Sequence, residues 1–164
     1  MIAVLLNTLN LYDMKSLFDE ATHTEIQARI ETLTATSTAS WGKMDVGQMC
    51  THCQMPLEIA MEKRTLSGKK PGFMKRLVFK IYKPLMYNDK PWSKNLPTTR
   101  DFVVTGAKDL DVEKSKLVNL VSEFHQYKET KEWPEHPMFG KFTHEQWGKM
   151  QYKHLDHHLN QFGA

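Results

Sequence analysis

No stretch of the 164-residue sequence is apolar over the roughly 20 residues that a membrane-spanning helix needs. Cysteine is also scarce, and a disulfide between Cys50 and Cys53 would close a very small loop and stabilise the fold little. Residues 1–13 (MIAVLLNTLNLYD) lack a basic start and a small-residue cleavage site, so we expect no secretory signal. These absences predict a protein without a transmembrane segment in a reducing, cytoplasmic setting.

The composition is that of a globular protein, with 40% hydrophobic and 25% charged residues. A chain of 164 residues is long enough to bury a core without disulfides or structural metals. We therefore predict one domain over residues 14–164, preceded by a disordered N-terminal extension over residues 1–13.

Positive charge is concentrated in one part of the chain. Residues 63–94 contain ten lysines and arginines and the single acid Asp89, although the whole sequence carries a net charge of only +3. The remainder holds twelve basic and eighteen acidic residues. The basic segment is either a solvated surface or a site for an anionic partner such as a phosphate group or an anionic membrane.

Apolar residues recur at helical spacing in four long segments. The first runs from Thr22 to Leu33 and opens with a candidate capping box of Thr22 and Glu25. The second follows Asp45, a good N-cap residue, and runs from residue 46 to residue 60.

The third segment follows Asp111 as its predicted N-cap and ends near Thr130, and the fourth starts at Thr143 with Gln146 completing a capping box. Between the second and third segments, Phe73, Leu77, Ile81 and Leu85 predict a short accessory helix within the basic stretch. The pattern predicts an all-α four-helix bundle with a long basic crossover between its second and third helices.

Three histidines fall on apolar helix faces. His154 and His158 are four residues apart, so they point the same way one turn apart, and His52 lies in the middle of the apolar face of the second helix. Three neutral imidazoles from facing helices can bind a divalent metal and leave one coordination position open. The alternative is that they are hydrogen-bonded core and surface histidines without a metal.

The remaining histidines and the cysteines allow other interpretations. His23, His125 and His144 show no partner pattern and are expected at the surface, whereas His136 is expected at the edge of a pocket.

The Cys50-Thr51-His52-Cys53 stretch could be a redox pair or half of a zinc site. Because no second cysteine pair exists and Cys50 lies more than a turn into the helix, we favour a core position for Cys53 and an edge position for Cys50.

Three stretches carry a resemblance to a known family: WGKMDVGQMCTHCQ at 41–54, HPMFGKFTHEQW at 136–147 and YKHLDHHLNQFG at 152–163. Together they resemble the DinB-like (YfiT-like) superfamily of four-helix bundles, in its branch of small uncharacterised domains. The resemblance implies one divalent metal ion, commonly zinc, nickel or iron, bound by His52, His154 and His158. Some relatives have a further histidine where this chain has Phe162, which makes His157 a substitute ligand.

Characterised members of that superfamily include transferases and isomerases that use low-molecular-weight thiols, and others are described as hydrolases. The resemblance therefore implies a metal-dependent transferase or hydrolase acting on a small molecule, with His157 or His136 as a proton carrier. It also implies a homodimer, in which the accessory helix would cover a neighbouring subunit.

A second hypothesis belongs to another class. The protein would be a non-catalytic, metal-stabilised binding module that engages an anionic partner through residues 63–94, although we do not expect nucleic acid as that partner. No feature of the sequence identifies a substrate.

Overall fold

The computed structural model describes residues 14–67, 72–129 and 132–164. These ranges contain five α-helices: α1 (Glu20–Glu31), α2 (Val46–Ala60), α3 (Phe73–Tyr82), α4 (Leu110–Gln126) and α5 (His144–Gln161). Short 3-10 helices cover Lys83–Met86, Arg100–Phe102 and Tyr127–Glu129. No strand occurs in this part of the chain, so the predicted all-α class is confirmed. The extension predicted over residues 1–13 lies outside the described residues.

Two of the four predicted helix starts are confirmed. Asp45 caps α2 and Thr143 caps α5, and each forms a full capping box with the glutamine three residues later. The other two starts are wrong. Asp19, not Thr22, precedes α1, and Thr22 is buried inside that helix. Asp109, not Asp111, caps α4, because its carboxylate accepts the Val112 N–H.

The main core lies between α1, α2, α4 and α5. Both α1 and α2 pack against α4 and α5. The largest fully buried side chains come from these helices and from the segments that flank α1: Leu17, Ile26, Ile30, Leu33, Met49, Leu57, Leu117, Phe124, Trp147, Leu155 and Leu159. The contact between α2 and α5 brings the two predicted histidine faces together.

The crossover from α2 to α4 contains α3, so the predicted short accessory helix is confirmed. Lys153 of α5 holds this crossover in place, because its buried ammonium group donates to the carbonyl oxygens of Leu85 and Asn88 at 2.8 and 2.9 Å. It also donates to the Asn88 side-chain oxygen at 2.6 Å. None of the helices in the described ranges has the length and apolar composition that a membrane-crossing helix needs.

Candidate metal site

His52, His154 and His158 meet at the interface between α2 and α5. One ring nitrogen of each lies within 4.8 Å of the others. All three side chains are buried, with exposures of 5%, 8% and 9% respectively. The i, i+4 spacing places His154 and His158 on one face of α5, and the capped, apolar α2 presents His52 opposite them. The structure thus brings together all three residues that the sequence predicts as metal ligands.

Two of the three rings are oriented by oxygen acceptors. His52 Nδ1 lies 2.9 Å from the Phe102 carbonyl oxygen, and His158 Nδ1 lies 2.8 Å from the Gln161 Oε1 atom. Neither acceptor carries a hydrogen, so in each neutral ring the proton is on Nδ1 and the lone pair is on Nε2. Metal-ligating histidines commonly donate their second ring nitrogen to an oxygen in this way.

The third ring is not fully satisfied by the protein. His154 Nε2 lies 3.2 Å from His52 Nε2, while His154 Nδ1 is buried and has no hydrogen-bond partner among the described residues. A buried polar atom without a partner costs free energy, so the described residues satisfy this ring less well than the other two. The donor set and its oxygen acceptors fit a divalent ion bound through nitrogen.

All three imidazoles resist protonation. Burial lowers the pKa of His52 despite the opposing effect of the Phe102 carbonyl, and burial with the neighbouring histidines places the pKa of His154 well below its usual value. Burial, followed by the proximity of His52, lowers the pKa of His158 to about 3. The cluster is therefore neutral near pH 7, which is the protonation state that binds metal ions.

The cluster lines a cavity of about 470 Å³. This volume falls within the range of small-molecule sites. Most of the lining is apolar or aromatic and includes Trp41, Met44, Trp92, Phe102, Met138 and Met150. The three histidines therefore lie on the wall of a largely apolar cavity.

His157, one of the two predicted proton carriers, lies next to the cluster. Its ring is 5.1 Å from that of His158, measured between centroids, and it lines the same cavity between Trp41 and Trp92. It is only half-buried, and burial lowers its pKa against the opposing effect of Asp156. The position allows His157 to exchange a proton with a molecule in the cavity.

His136, the other predicted carrier, lines the same cavity but has a different environment. Its Nδ1 atom accepts the N–H groups of Met138 and Phe139 at 3.1 and 3.3 Å. Burial and the nearby Lys83 cation lower its pKa to about 4. With Nδ1 occupied, only Nε2 can take part in chemistry, and it carries the proton in the neutral ring. The geometry favours His157 over His136 as a proton acceptor.

The groups that orient the cluster are not among the residues predicted from the sequence. Gln161 accepts from His158 and also donates to the Trp41 carbonyl oxygen, so it connects α5 to the loop before α2. The Phe102 carbonyl comes from a 3-10 helix 50 residues away from His52. The spacing of three residues between His158 and Gln161 was the only signal available in the sequence for either partner.

The cysteines do not form a redox centre in this fold. Both are free and fully buried, and Cys53 Sγ donates to Met49 Sδ at 3.6 Å. Burial raises the pKa of Cys50 to about 12 and that of Cys53 well above its usual value, so both stay protonated and weakly reactive. The edge position expected for Cys50 is wrong, whereas the core position of Cys53 is confirmed.

His125 was expected at the surface, but this prediction is wrong. It is buried at the end of α4, where its ring nitrogens lie 2.9 Å from the Leu17 carbonyl oxygen and 3.0 Å from the Glu20 carboxylate. The half-buried His23 stacks on it, with ring centroids 4.2 Å apart. Glu20, His23 and His125 form a second group of close metal-type donors, whereas His144 is exposed as predicted.

One family of proteins matches the chain in sequence. Its description is "protein of unknown function (DUF1569)", and the match covers residues 13–164. No curated protein matches the chain, and no solved structure matches it either. Because the family match spans almost the whole sequence, the chain belongs to the DUF1569 family.

Proposed function

We propose that this protein is a divalent-metal-dependent enzyme, a thiol-dependent transferase or a hydrolase, built as a DinB-like four-helix bundle of α1, α2, α4 and α5. One observation carries the proposal. Three buried, neutral imidazoles converge on the wall of a cavity of about 470 Å³. A purely structural histidine cluster has no need of such a cavity.

His52, His154 and His158 would hold the ion. Three nitrogen ligands suit zinc, nickel or iron, and the chain leaves at least one position for a substrate or water. When bound, such an ion lowers the pKa of a coordinated thiol or water and so supplies a nucleophile near neutral pH.

The protein's own residues would prepare the site for that chemistry. The Phe102 carbonyl and Gln161 fix the proton of His52 and of His158 on Nδ1, which keeps each Nε2 lone pair available. Trp41 and Trp92 border the cavity and contribute to its apolar wall. His157, neutral and half-buried beside them, would take the proton that a thiol or water releases.

The cavity favours a small substrate with apolar parts, because most of its lining is apolar. Lys43 lines it, and Lys94 lies over the ring of Trp41 at 4.6 Å from the ring centroid. These two cations would attract an anionic group on the substrate. A low-molecular-weight thiol that carries carboxylates would supply such an anionic group.

The test is turnover with a panel of cellular thiols and electrophiles, comparing zinc-, nickel- and iron-loaded protein with the metal-free form. We expect activity only in a metal-loaded form, and we expect His157→Gln to keep the metal but lose most of the activity. Full metal binding without any turnover above the metal-free protein would instead favour the non-catalytic module, in which the ion only joins α2 to α5.

A further inference from the structure

The accessory helix α3 leaves almost all of its surface uncovered. Every residue of α3 except the half-buried Phe79 is exposed. Phe73 is 81% exposed and Ile81 is 70% exposed, which is unusual for large apolar side chains in a folded protein. The other exposed apolar residues of the helix are Met74, Leu77, Val78 and Tyr82.

These apolar residues share one half of the helix. At about 100° per residue, the six positions from Phe73 to Tyr82 span about 180° of the helix surface. Phe79 lies on the other half, where its ring packs edge-on against Phe139 with centroids 5.5 Å apart. Lys83, just after the helix, contacts the Phe142 ring and the Lys141 carbonyl. The helix is therefore seated on the domain by its polar half, and its apolar half faces outward.

Cations border both edges of the apolar half. On the same wheel, Lys75 follows Tyr82 along one edge, while Arg76 and Lys80 lie beside Phe73 along the other. No acid occurs between residues 72 and 86. An outward apolar face with basic residues on both edges is typical of helices that lie in the surface of an anionic bilayer.

A second copy of the chain fits this face poorly. Outside α3 and the turn after it, the exposed large apolar side chains in the described ranges are Leu96, Val103 and Val112, which lie on separate segments. The body of one copy thus offers no matching apolar patch. Two α3 helices could cover each other, but this would bring Lys75, Arg76 and Lys80 close to their own copies and cause like-charge repulsion.

We infer that α3 is a membrane-docking helix, which inserts its apolar half into the interfacial region of an anionic lipid bilayer while its lysines and arginine bind the phosphate or carboxylate headgroups. An anionic bilayer is one of the partners that the basic segment 63–94 allows, and the inference does not depend on the metal site. A ten-residue helix buries a limited apolar area, so the binding is reversible. It also requires the attraction between the cations of the helix and the anionic headgroups. A nucleic acid would pair with the cations but leave the apolar half in water.

The experiment is co-sedimentation of the full chain with vesicles at low salt. Vesicles of three parts phosphatidylcholine to one part phosphatidylserine should bind it, whereas pure phosphatidylcholine vesicles should bind it weakly. Raising the salt concentration should release the protein, because the headgroup contacts are screened.

Two double variants separate the apolar contribution to vesicle binding from the electrostatic one. Leu77→Ser with Ile81→Ser removes apolar contact, whereas Lys75→Glu with Lys80→Glu reverses the charge at two positions. Each double variant should bind the anionic vesicles about tenfold or more weakly than the wild type. Val112→Ser is the matched control, because it changes an exposed apolar residue on α4. Circular dichroism and metal content should remain unchanged in all three proteins.

The inference is overturned if the wild type does not bind the anionic vesicles at low salt, or if the α3 variants bind as well as the wild type. Displacement of the protein from the vesicles by millimolar inorganic phosphate would also overturn it, because the protein would then recognise a phosphate group and not a bilayer. A dimer in light scattering that the Leu77→Ser and Ile81→Ser variant converts to monomer would identify a second copy as the occupant instead.

Discussion

The Nε2 atoms of His52 and His154 lie 3.2 Å apart across the interface between α2 and α5. His52 keeps its proton on Nδ1 for the Phe102 carbonyl, so its Nε2 atom can only accept a hydrogen bond. Without a metal ion, His154 must donate from Nε2, which leaves its buried Nδ1 lone pair without a described partner. His52 and His154 would hold a metal ion in place of this hydrogen bond, and the ion would take up the nitrogen lone pairs that face each other here.

Metal content should depend on the three converging histidines. Purified protein should carry about one divalent ion per chain, and His52→Ala, His154→Ala and His158→Ala should each reduce that content sharply, because two imidazoles alone bind weakly. Elemental analysis measures it, with the exposed His144→Ala as the control. Loss of the ion in His23→Ala with full content in His154→Ala would place the ion in the second histidine group.

Gln161 should act as a positioning residue for His158. Gln161→Leu removes the acceptor for the Nδ1 proton of His158, so we expect metal affinity to fall by about 10- to 100-fold. Gln161→Glu keeps an oxygen acceptor and should retain most of the affinity. Competition with a chromogenic chelator gives the affinities, and the exposed neighbour Asn160→Ala is the control. Equal affinities in the leucine and glutamate variants would show that the contact has no role in metal binding.

The metal-free protein should lose stability as the pH falls below about 6.5, the usual pKa of histidine. The fold lowers the pKa of His158 to about 3 and that of His136 to about 4, so between these values and pH 6.5 only the unfolded state binds the protons. Each such group adds a slope of up to about 1.4 kcal/mol per pH unit.

Urea unfolding between pH 7.5 and pH 4 tests this dependence. His158→Gln should show a shallower slope than the wild type because one titrating group is gone. An unchanged unfolding free energy across this range would contradict the assignment of neutral, buried imidazoles. In the metal-loaded protein, the ion should be retained below the pH at which free imidazole is protonated, since protons compete weakly for these rings.

Lys153 should be required for the position of the crossover. Lys153→Met leaves the Leu85 and Asn88 oxygens without their shared donor, so we expect a loss of about 1–3 kcal/mol in the free energy of unfolding. Urea unfolding measures the loss, and tryptophan fluorescence reports on Trp92, whose ring lies near the Lys153 ammonium group. Lys116→Met, at an exposed ion pair on α4, should change stability little. Equal stabilities of the two variants would rule out this role.

The sequence by itself determined the features that depend on residues within about four positions of each other. The capping boxes at Asp45 and Thr143 join residues three apart, so they form wherever those helices form. The histidine pair on α5 has the same basis, because helical geometry alone puts positions four apart on one face. The all-α class follows from the same local periodicity.

The tertiary structure decided the contacts between distant segments. Lys108, just before α4, lies so close to Gly47 of α2 that a Cβ at Gly47 would be 2.7 Å from the Lys108 carbonyl oxygen. This approach joins two distant segments, so no local pattern in the sequence contains it. His125 is buried where its ring meets the Leu17 carbonyl oxygen, which comes from a residue 108 positions away.

The candidate site and the surface of α3 also depend on contacts between distant segments. The sequence places His52, His154 and His158 on apolar faces, but their convergence and the role of the Phe102 carbonyl depend on contacts across 102 and 50 positions. The apolar pattern of α3 predicts a helix, yet the same pattern is compatible with a buried or an exposed face. Only the packed core shows that α1, α2, α4 and α5 satisfy one another's apolar surfaces and leave that of α3 uncovered.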